Sequence, residues 1–303
     1  MNKNILEALR AQLLTRSPLE NLPKAVWERV GVLNTWGTNA IEGNTLTLRE
    51  VETVLLQERS VGNKPLRDLL ETKHHQEAFR ELLKRRSQPM SLTTVLELHE
   101  TVFKGIYPDA GRWRRINVYI EGAKHRPPRA EKVVPLMAEW EKEYDRRDLD
   151  GESVFLLAAW MHDKFESIHP FADGNGRVGR LLLNLHFLKH DWPPVNIIPP
   201  DRERYLSSMR KADEGDLASL IDLLEELMGK SLMDLLDQVG TPDDELKPLR
   251  SFARRGSYSA NYLTLRAGQG ELPAVKVKGD WHTSSRALEL YKTFVGRGQQ
   301  DPF

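Results

Sequence analysis

Apolar residues recur at intervals of three and four along most of this chain, and that spacing limits what it can fold into. Residues 25–41, 48–56, 66–84, 93–103, 130–144, 153–168, 177–190 and 217–236 all carry it. A 3.6-residue turn gathers such positions on one stripe, so each stretch predicts a helix with a buried face. Strand signals are few. The best is Ile116-Asn-Val-Tyr-Ile120, which alternates and runs into the turn-like Glu121-Gly122. The opening MNKNILEALRAQLL lacks the apolar core of a signal peptide and reads as a further amphipathic helix. With 303 residues, 40% of them hydrophobic, the chain can bury a sizeable core and predicts a mostly α protein of about two domains.

The sequence has no Cys, which removes disulfides, thiolate zinc sites and a cysteine nucleophile. No run of 18 apolar residues occurs, so no membrane partner is expected and a cytoplasmic location is the default. The 44 basic and 44 acidic residues balance, but not evenly along the chain. Residues 247–303 hold ten Lys/Arg against four Asp/Glu. That asymmetry is compatible with a polyanion partner or with a solvated linker before a slightly basic domain. Residues 241–248, polar and bracketed by Pro242 and Pro248, mark the best boundary.

Thr38-Asn-Ala-Ile-Glu42-Gly43-Asn44 ends the helix expected over 25–41. Gly43 suits the left-handed position past a helix, and Thr47-Leu-Arg-Glu50 is a capping box opening the next one. Glu42 is therefore expected in a last helical turn, where the helix dipole disfavours a carboxylate by a few tenths to about 1 kcal/mol. A facing cation would make that placement reasonable, although a solvated Glu is the simpler reading.

The densest polar segment is HPFADGNGRVGR, residues 169–180, set between two apolar helices. Gly174 and Gly176 let the backbone approach a ligand closely. The N–H groups opening the second helix form an anion site. Arg177 and Arg180, three apart, oppose the dipole there unless a polyanion such as a di- or triphosphate sits between them. Asp173 is a hard oxygen ligand suited to Mg²⁺ shared with phosphates. His169 titrates near neutrality and suits a general base. Phe171 reads as a buried anchor. His186 and His190 are four apart without an evident third ligand, and they read as packing residues, as do His74, His75 and His99. His125, in a Lys-Arg-Pro-rich run, is either a contact for a ligand or part of a solvated loop.

This segment resembles the signature of the Fic family, H-P-F-x-[D/E]-G-N-G-R-x-x-R, at every position, and the likeness extends over roughly residues 30–230. Gly111-Arg-Trp-Arg114 with Ile116–Glu121 resembles the start of the family's β-hairpin flap. Asp201-Arg-Glu-Arg-Tyr205 and Ala212-Asp-Glu-Gly-Asp216 resemble the segment after its core. The resemblance implies a helical enzyme that moves AMP from ATP to a Ser, Thr or Tyr hydroxyl of a target protein, itself included. His169 is then the base and Asp173 the Mg²⁺ ligand. Gly174, Asn175 and Gly176 cradle the phosphates, and Arg177 and Arg180 balance their charge. The flap would align a target strand. A relative that transfers phosphate has Lys where Gly176 stands, so Gly176 favours nucleotide transfer. Thr38–Gly43 resembles the family's inhibitory motif [S/T]-x-x-x-E-[G/N], which implies that Glu42 pairs with Arg180 and blocks the productive pose of the γ-phosphate. The same Glu42 instead orienting a water to remove AMP is the alternative. A further alternative is a DNA-binding regulator whose core only senses nucleotide. A homodimer is left open.

Residues 258–303 resemble small winged-helix domains of the excisionase and MerR type. The expected parts are a helix, a Gly-containing turn, a short helix from about Leu272, a Lys-rich two-stranded wing turning at Lys278-Gly-Asp-Trp281, and a last helix. Lys276, Lys278 and Arg286 would touch DNA phosphates, with Arg254-Arg255 extending the path. A structural or dimerising appendage is the other reading. The expected division is 1–90 as a helical region with the inhibitory helix, 91–240 as the catalytic core, 241–257 as a linker and 258–303 as the winged-helix-like domain.

Overall fold

A computed structural model describes residues 1–120, 125–253 and 258–295. The helices are α1 (Lys3–Arg16), α2 (Lys24–Ile41), α3 (Leu48–Leu56), α4 (Leu66–Arg85), α5 (Leu92–Phe103), α6 (Val133–Leu149), α7 (Val154–Ile168), α8 (Asn175–Lys189), α9 (Arg202–Asp213), α10 (Ala218–Val239), α11 (Leu249–Ala253), α12 (Ala260–Gly268) and α13 (Ser285–Phe294). The strands are β1 (Lys247–Pro248), β2 (Val275–Val277) and β3 (Asp280–Thr283). The expected mostly α class holds. Contacts group the chain into residues 28–223 and residues 1–27 with 224–303. This differs from a linear cut near 90 and 240, because α1 packs on α13 at the other end of the sequence.

In residues 28–223 the centre is α8. Every residue from Arg177 to Leu188 is buried. A helix buried all round must be enclosed by others, and α4, α5 and α7 do so, with α6 and α9 lying on α7. The helices expected over 48–56, 66–84, 93–103, 153–168 and 177–190 form within two residues of those bounds. Helix α9 carried no clear apolar stripe, since only Tyr205, Ser208 and Ala212 of its residues are buried. The capping box at Thr47 and Glu50 forms, and Gly43 takes φ 92°.

Ile116–Ile120 pairs with no strand among the described residues. Its turn, Glu121-Gly122, lies outside them, as does Lys124. The segment is held instead through Asn117, whose Oδ1 accepts from the Ala130 N–H at 2.9 Å.

In the other unit, β1, β3 and β2 form an antiparallel sheet in that order, with Val275 facing His282 and Lys247 facing Thr283. The hairpin turns at Lys278 and Gly279, both at positive φ. No helix forms at Leu272: residues 271–274 run from a bend straight into β2, and Leu272 is buried. The expected linker is partly structured, since Asp244, 1% exposed, receives Arg286 Nε at 2.5 Å. Arg286 is therefore committed within the fold and not available to DNA as expected. Arg254-Arg255 lie outside the described residues.

Gly37 marks where α2 approaches the backbone after α8. A Cβ there would lie 2.5 Å from the Ile197 carbonyl oxygen. Backbone cannot yield as a side-chain end does, and overpacking costs typically ~1–3 kcal/mol. Gly37→Ala is expected to lower the urea midpoint of unfolding by a corresponding amount. An unchanged midpoint would show that the helix slides freely at this place.

Candidate active site

Helix α7 stops at Ile168 because His169 takes the left-handed conformation, φ 51° and ψ 61°. A non-glycine residue there costs of order 1–3 kcal/mol and needs surrounding structure to hold it. Arg114 supplies much of that hold. It is 5% exposed and donates from Nε to the His169 carbonyl at 2.7 Å, from Nη1 to Ile116 O at 2.9 Å and from Nη2 to Pro128 O at 2.6 Å. Its own N–H donates to Pro170 O at 2.9 Å.

The loop between α7 and α8 is braced from below by aromatic packing. Phe171, fully buried as expected, stacks on His99 at 3.7 Å and lies 5.1 Å from the Trp113 ring. His99 Nδ1 accepts from the Gly111 N–H at 2.9 Å, so its Nε2–H donates to Asp173 O at 3.1 Å. Burial lowers the His99 pKa to about 4, so the ring stays neutral and keeps this tautomer. The Asn175 side chain closes the loop by accepting from Phe171 N–H at 2.8 Å and donating to Phe171 O at 3.0 Å. What Asn175 offers a ligand is its backbone N–H in the first turn of α8. Gly174 sits at φ 86°, and a Cβ there would fall 2.1 Å from the Phe103 ring, so no other residue fits.

His169 Nδ1–H donates to the Glu166 carbonyl at 3.2 Å, which leaves Nε2 free of its proton. Burial lowers the His169 pKa below its ordinary value, against the smaller pull of that hydrogen bond. The ring is thus neutral at pH 7 and able to take a proton.

Arg180 is buried, at 5% side-chain exposure, and reaches back to α2. Nε donates to Thr38 Oγ1 at 2.6 Å, and Nη2 donates to Thr38 O at 3.2 Å and to Glu42 Oε1 at 2.6 Å. Glu42 stands one residue past the end of α2 rather than inside its last turn. Burial pushes its carboxyl pKa up, but the Arg180 charge and hydrogen bond, helped by Arg177, outweigh burial and hold it below the usual range. The absence of a side chain at Gly176 admits it: a Cβ there would lie 2.4 Å from Glu42 Oε1. An anion thus already rests over the start of α8, on the guanidinium where phosphates were expected.

Arg177 takes different partners. It is 3% exposed, 2.7 Å from Glu71 and 3.3 Å from Asp173, with its guanidinium 4.6 Å from the Phe103 ring. Asp173 is half-exposed and also receives the Tyr107 hydroxyl and Arg67, the latter at 3.3 Å. Burial raises the Asp173 pKa, but Tyr107, Arg177, the Gly174 N–H and Arg67 together keep it lowered. Among the described residues no three His, Asp or Glu side chains gather to hold a metal ion on their own. A lone hard carboxylate fits a magnesium ion that completes its shell with phosphate oxygens and water.

Beside these groups lies a cavity of about 330 Å³, at the small end for ligand sites. Its polar wall includes Glu42, Glu166, His169 and Arg180; its apolar wall includes Ile120, Leu206 and Met209. Glu166 is pushed up to about 8 by burial, only partly offset by Arg180. A larger hollow of about 640 Å³, lined by Leu96, Trp113, Glu131 and Val134 among others, includes none of the loop residues 169–180.

All the motif residues singled out in the sequence, His169, Asp173, Gly174, Asn175, Gly176, Arg177 and Arg180, with Thr38 and Glu42, therefore meet at one loop. Arg67, Glu71, Tyr107 and Glu166 were not singled out. Glu71 and Arg67 carried only the i, i+4 spacing of an ordinary helical ion pair. Among the described residues His186 and His190 join no group of three metal-ligating side chains; His186 donates from Nε2 to Val154 O and accepts at Nδ1 from the Tyr144 hydroxyl, both at 2.9 Å. His125 lies against the Ser167 carbonyl at 2.9 Å.

Residues 89–187 match the family model described as Fic: Fic/DOC family. Those residues are thus similar to the Fic/DOC domain that this model describes. It is 32% identical over 198 residues to "Protein adenylyltransferase Fic" of Drosophila ananassae, a match covering 64% of this chain and 39% of that protein. The chain thus spans about two fifths of the length of the curated relatives it matches. Among solved structures, Fic-1 (residues 134–508) of C. elegans is 26% identical with a TM-score of 0.67, covering 78% of this chain and 72% of that one. A Fic family protein of Desulfovibrio desulfuricans, 22% identical with a TM-score of 0.65, covers 94% and 96% and shares the fold.

The His169 geometry has a direct consequence. Followed by NMR, its imidazole is expected to titrate with a midpoint below 6.5, since burial favours the neutral ring. A midpoint above 6.5 would mean that a nearby carboxylate dominates and that the ring is charged at neutral pH.

Proposed function

We propose that this chain is a protein adenylyltransferase held off by its own α2. One observation carries the reading: the Glu42 carboxylate lies over Gly176 and on buried Arg180, in a cavity that His169 also lines. A triphosphate is the ligand whose charge suits Arg177, Arg180 and the free N–H groups opening α8. The relatives are named protein adenylyltransferases, and for a transfer of AMP this reading assigns ATP as the substrate. His169 Nε2 takes the proton of a Ser, Thr or Tyr hydroxyl of a target protein as that oxygen attacks the α-phosphorus. Pyrophosphate leaves. Asp173 would hold a magnesium ion, which would neutralise part of the phosphate charge. Arg114 and Asn175 fix the loop, so positioning and electrostatics carry the rate.

Glu42 competes with the γ-phosphate for Arg180. Leaving a buried guanidinium unpaired costs about 3–5 kcal/mol, so Glu42 departs only when another anion replaces it. A second reading rests on the same carboxylate. Glu42 is ionised and shares the cavity with His169, so it can orient a water against an AMP-modified side chain and drive the reverse hydrolysis.

Incubation with labelled ATP tests both readings. The native chain is expected to label itself or lysate proteins weakly, Glu42→Gly at least about tenfold more, and His169→Ala not at all. Label surviving in His169→Ala would remove the assigned base. Release of AMP from pre-labelled protein by the native chain, lost in Glu42→Gly, would favour the hydrolytic reading.

For residues 241–295 we propose a winged-helix module that contacts nucleic acid. The sheet order β1-β3-β2, with α11 and α12 between β1 and β2, supports the fold reading. Lys278 at the hairpin turn and Lys276, 5.0 Å from the Trp281 ring, lie on exposed positions. Binding of a fluorescent duplex is expected to weaken steeply between 50 and 200 mM salt and to weaken at both in Lys276→Ala/Lys278→Ala. Binding that ignores salt, or its absence, would remove the contact.

A further inference from the structure

Arg67 stands about a hundred residues before the glycine loop, on α4, yet it reaches the one carboxylate of that loop. Both oxygens of Asp173 are engaged. Oδ1 accepts from the Gly174 N–H at 2.5 Å and from Arg177 Nη2 at 3.3 Å. Oδ2 accepts from the Tyr107 hydroxyl and from Arg67 Nη2 at 3.3 Å. Arg67 Nη2 also donates to the Tyr107 oxygen, so the three groups close a ring. A magnesium ion needs an oxygen lone pair at about 2.0–2.1 Å and repels a guanidinium beside it. Something on Asp173 must therefore yield when the metal arrives.

The two faces of the carboxylate differ in how readily they open. The Oδ1 donors are fixed: Gly174 is the next residue, and Arg177 is 3% exposed and anchored 2.7 Å from Glu71. The Oδ2 donor Arg67 is 52% exposed, and ion pairs of that kind contribute only about 0–1 kcal/mol. Arg67 also has a pivot. Its Nε donates at 2.8 Å to Glu71, a carboxylate 5% exposed. Releasing Asp173 need not release Glu71, so the Nη edge turns while the side chain stays beside the loop. Charge gives the direction. Arg67 and Arg177 are balanced by Glu71 and Asp173. A magnesium ion taking Asp173 leaves Arg67 facing a triphosphate that is still about −2 after the metal is counted.

We propose that Arg67 is a further triphosphate-binding residue, held on Asp173 by Tyr107 and transferred to the phosphates when the metal that accompanies the nucleotide takes Oδ2. This rests on the nucleotide reading of the site given above. It makes Tyr107 a positioning residue that competes with the metal, and Arg67 a group with two successive anions.

The test is isothermal titration of ATP into the full chain carrying Glu42→Gly, with increasing Mg²⁺ and separately with EDTA. Tyr107→Phe, which keeps the ring and removes only the donor, is expected to lower the Mg²⁺ concentration for half-maximal ATP binding several-fold. Arg67→Ala is expected to weaken ATP binding about tenfold at saturating Mg²⁺ and much less in EDTA, where Asp173 still holds the guanidinium, with Arg67→Lys recovering most of the loss as a point charge on the same stem. Circular dichroism of each variant confirms the fold. If Arg67→Ala binds ATP as the parent does at saturating Mg²⁺, or Tyr107→Phe needs as much Mg²⁺ or more, the proposal is overturned. If the parent itself binds no ATP in either condition, the nucleotide reading falls and takes this proposal with it.

Discussion

The guanidinium of Arg180 is a charge that the fold cannot leave alone. It belongs to α8, buried from Arg177 to Leu188, so the same packing that makes α8 the centre of its unit also takes this cation out of water. Desolvating such a group costs several kcal/mol, returned only by well-placed acceptors. Thr38 and Glu42 provide them at 2.6 Å each. The end of α2 is thus tied to the glycine loop by an electrostatic demand rather than by apolar contact. Any anion that is to lie at the start of α8 must answer that demand in place of Glu42. In the proposed function, inhibition and substrate binding are two answers to one buried charge.

The loop itself is shaped by groups that never face the cavity with their own chemistry. Arg114 fixes three carbonyls around His169 and Ile116, His99 carries Asp173 on a neutral ring, and Asn175 closes on Phe171. Each bond removes a freedom that His169, strained at φ 51°, would otherwise use to relax. The imidazole keeps its Nδ1–H on Glu166 O, and so its basic nitrogen is defined by the backbone rather than by a second carboxylate. Burial lowers its pKa against that hydrogen bond, so the base is a neutral one, suited to a reaction whose rate depends on placement.

Much of this was legible in the residues, and the reason is local. A glycine at positive φ, a capping box and a twelve-residue motif declare themselves within a few positions, as at Gly43, Thr47 and 169–180. The Glu42–Arg180 pair spans 138 residues and was reachable only through a resemblance. Arg67, Glu71 and Tyr107 had neither aid. Their spacing on α4 and after α5 is that of ordinary surface residues, and only the packing of α4 on α5 and α8 brings them to Asp173. The tail failed differently. The expected helix at Leu272 lost to Pro273 and to strand pairing of Val275 with His282. Arg286 looked free because Asp244 sits in a segment that read as a linker.

In the proposed function α2 must inhibit and still be removable, and the contacts of its inner face suit both needs. Asn34 donates to Val195 O and Asn196 at 3.0 Å, and Thr35 contacts His75 and Gln76 at 2.9 Å. Thr38 meets Arg180, and among the described residues neither amide atom of Asn39 has a partner although the side chain is 1% exposed. An apolar helix face loses about 25 cal/mol for each Å² returned to water, and nothing compensates it. A polar face is different, because water replaces each neutral hydrogen bond that separation breaks, at a net value of only about 0.5–1.5 kcal/mol, while buried Arg180 still requires an anion in place of Glu42. Asn39, buried without a bond, gains on exposure. The Val32, Leu46 and Val51 cluster, with Trp36 against it, supplies the apolar hold on another face of the same helix. In that reading a helix end held by polar contacts to Arg180, and by apolar ones elsewhere, can lift its Glu42 end without unfolding the rest. That is the mechanical condition for one carboxylate to serve as a switch.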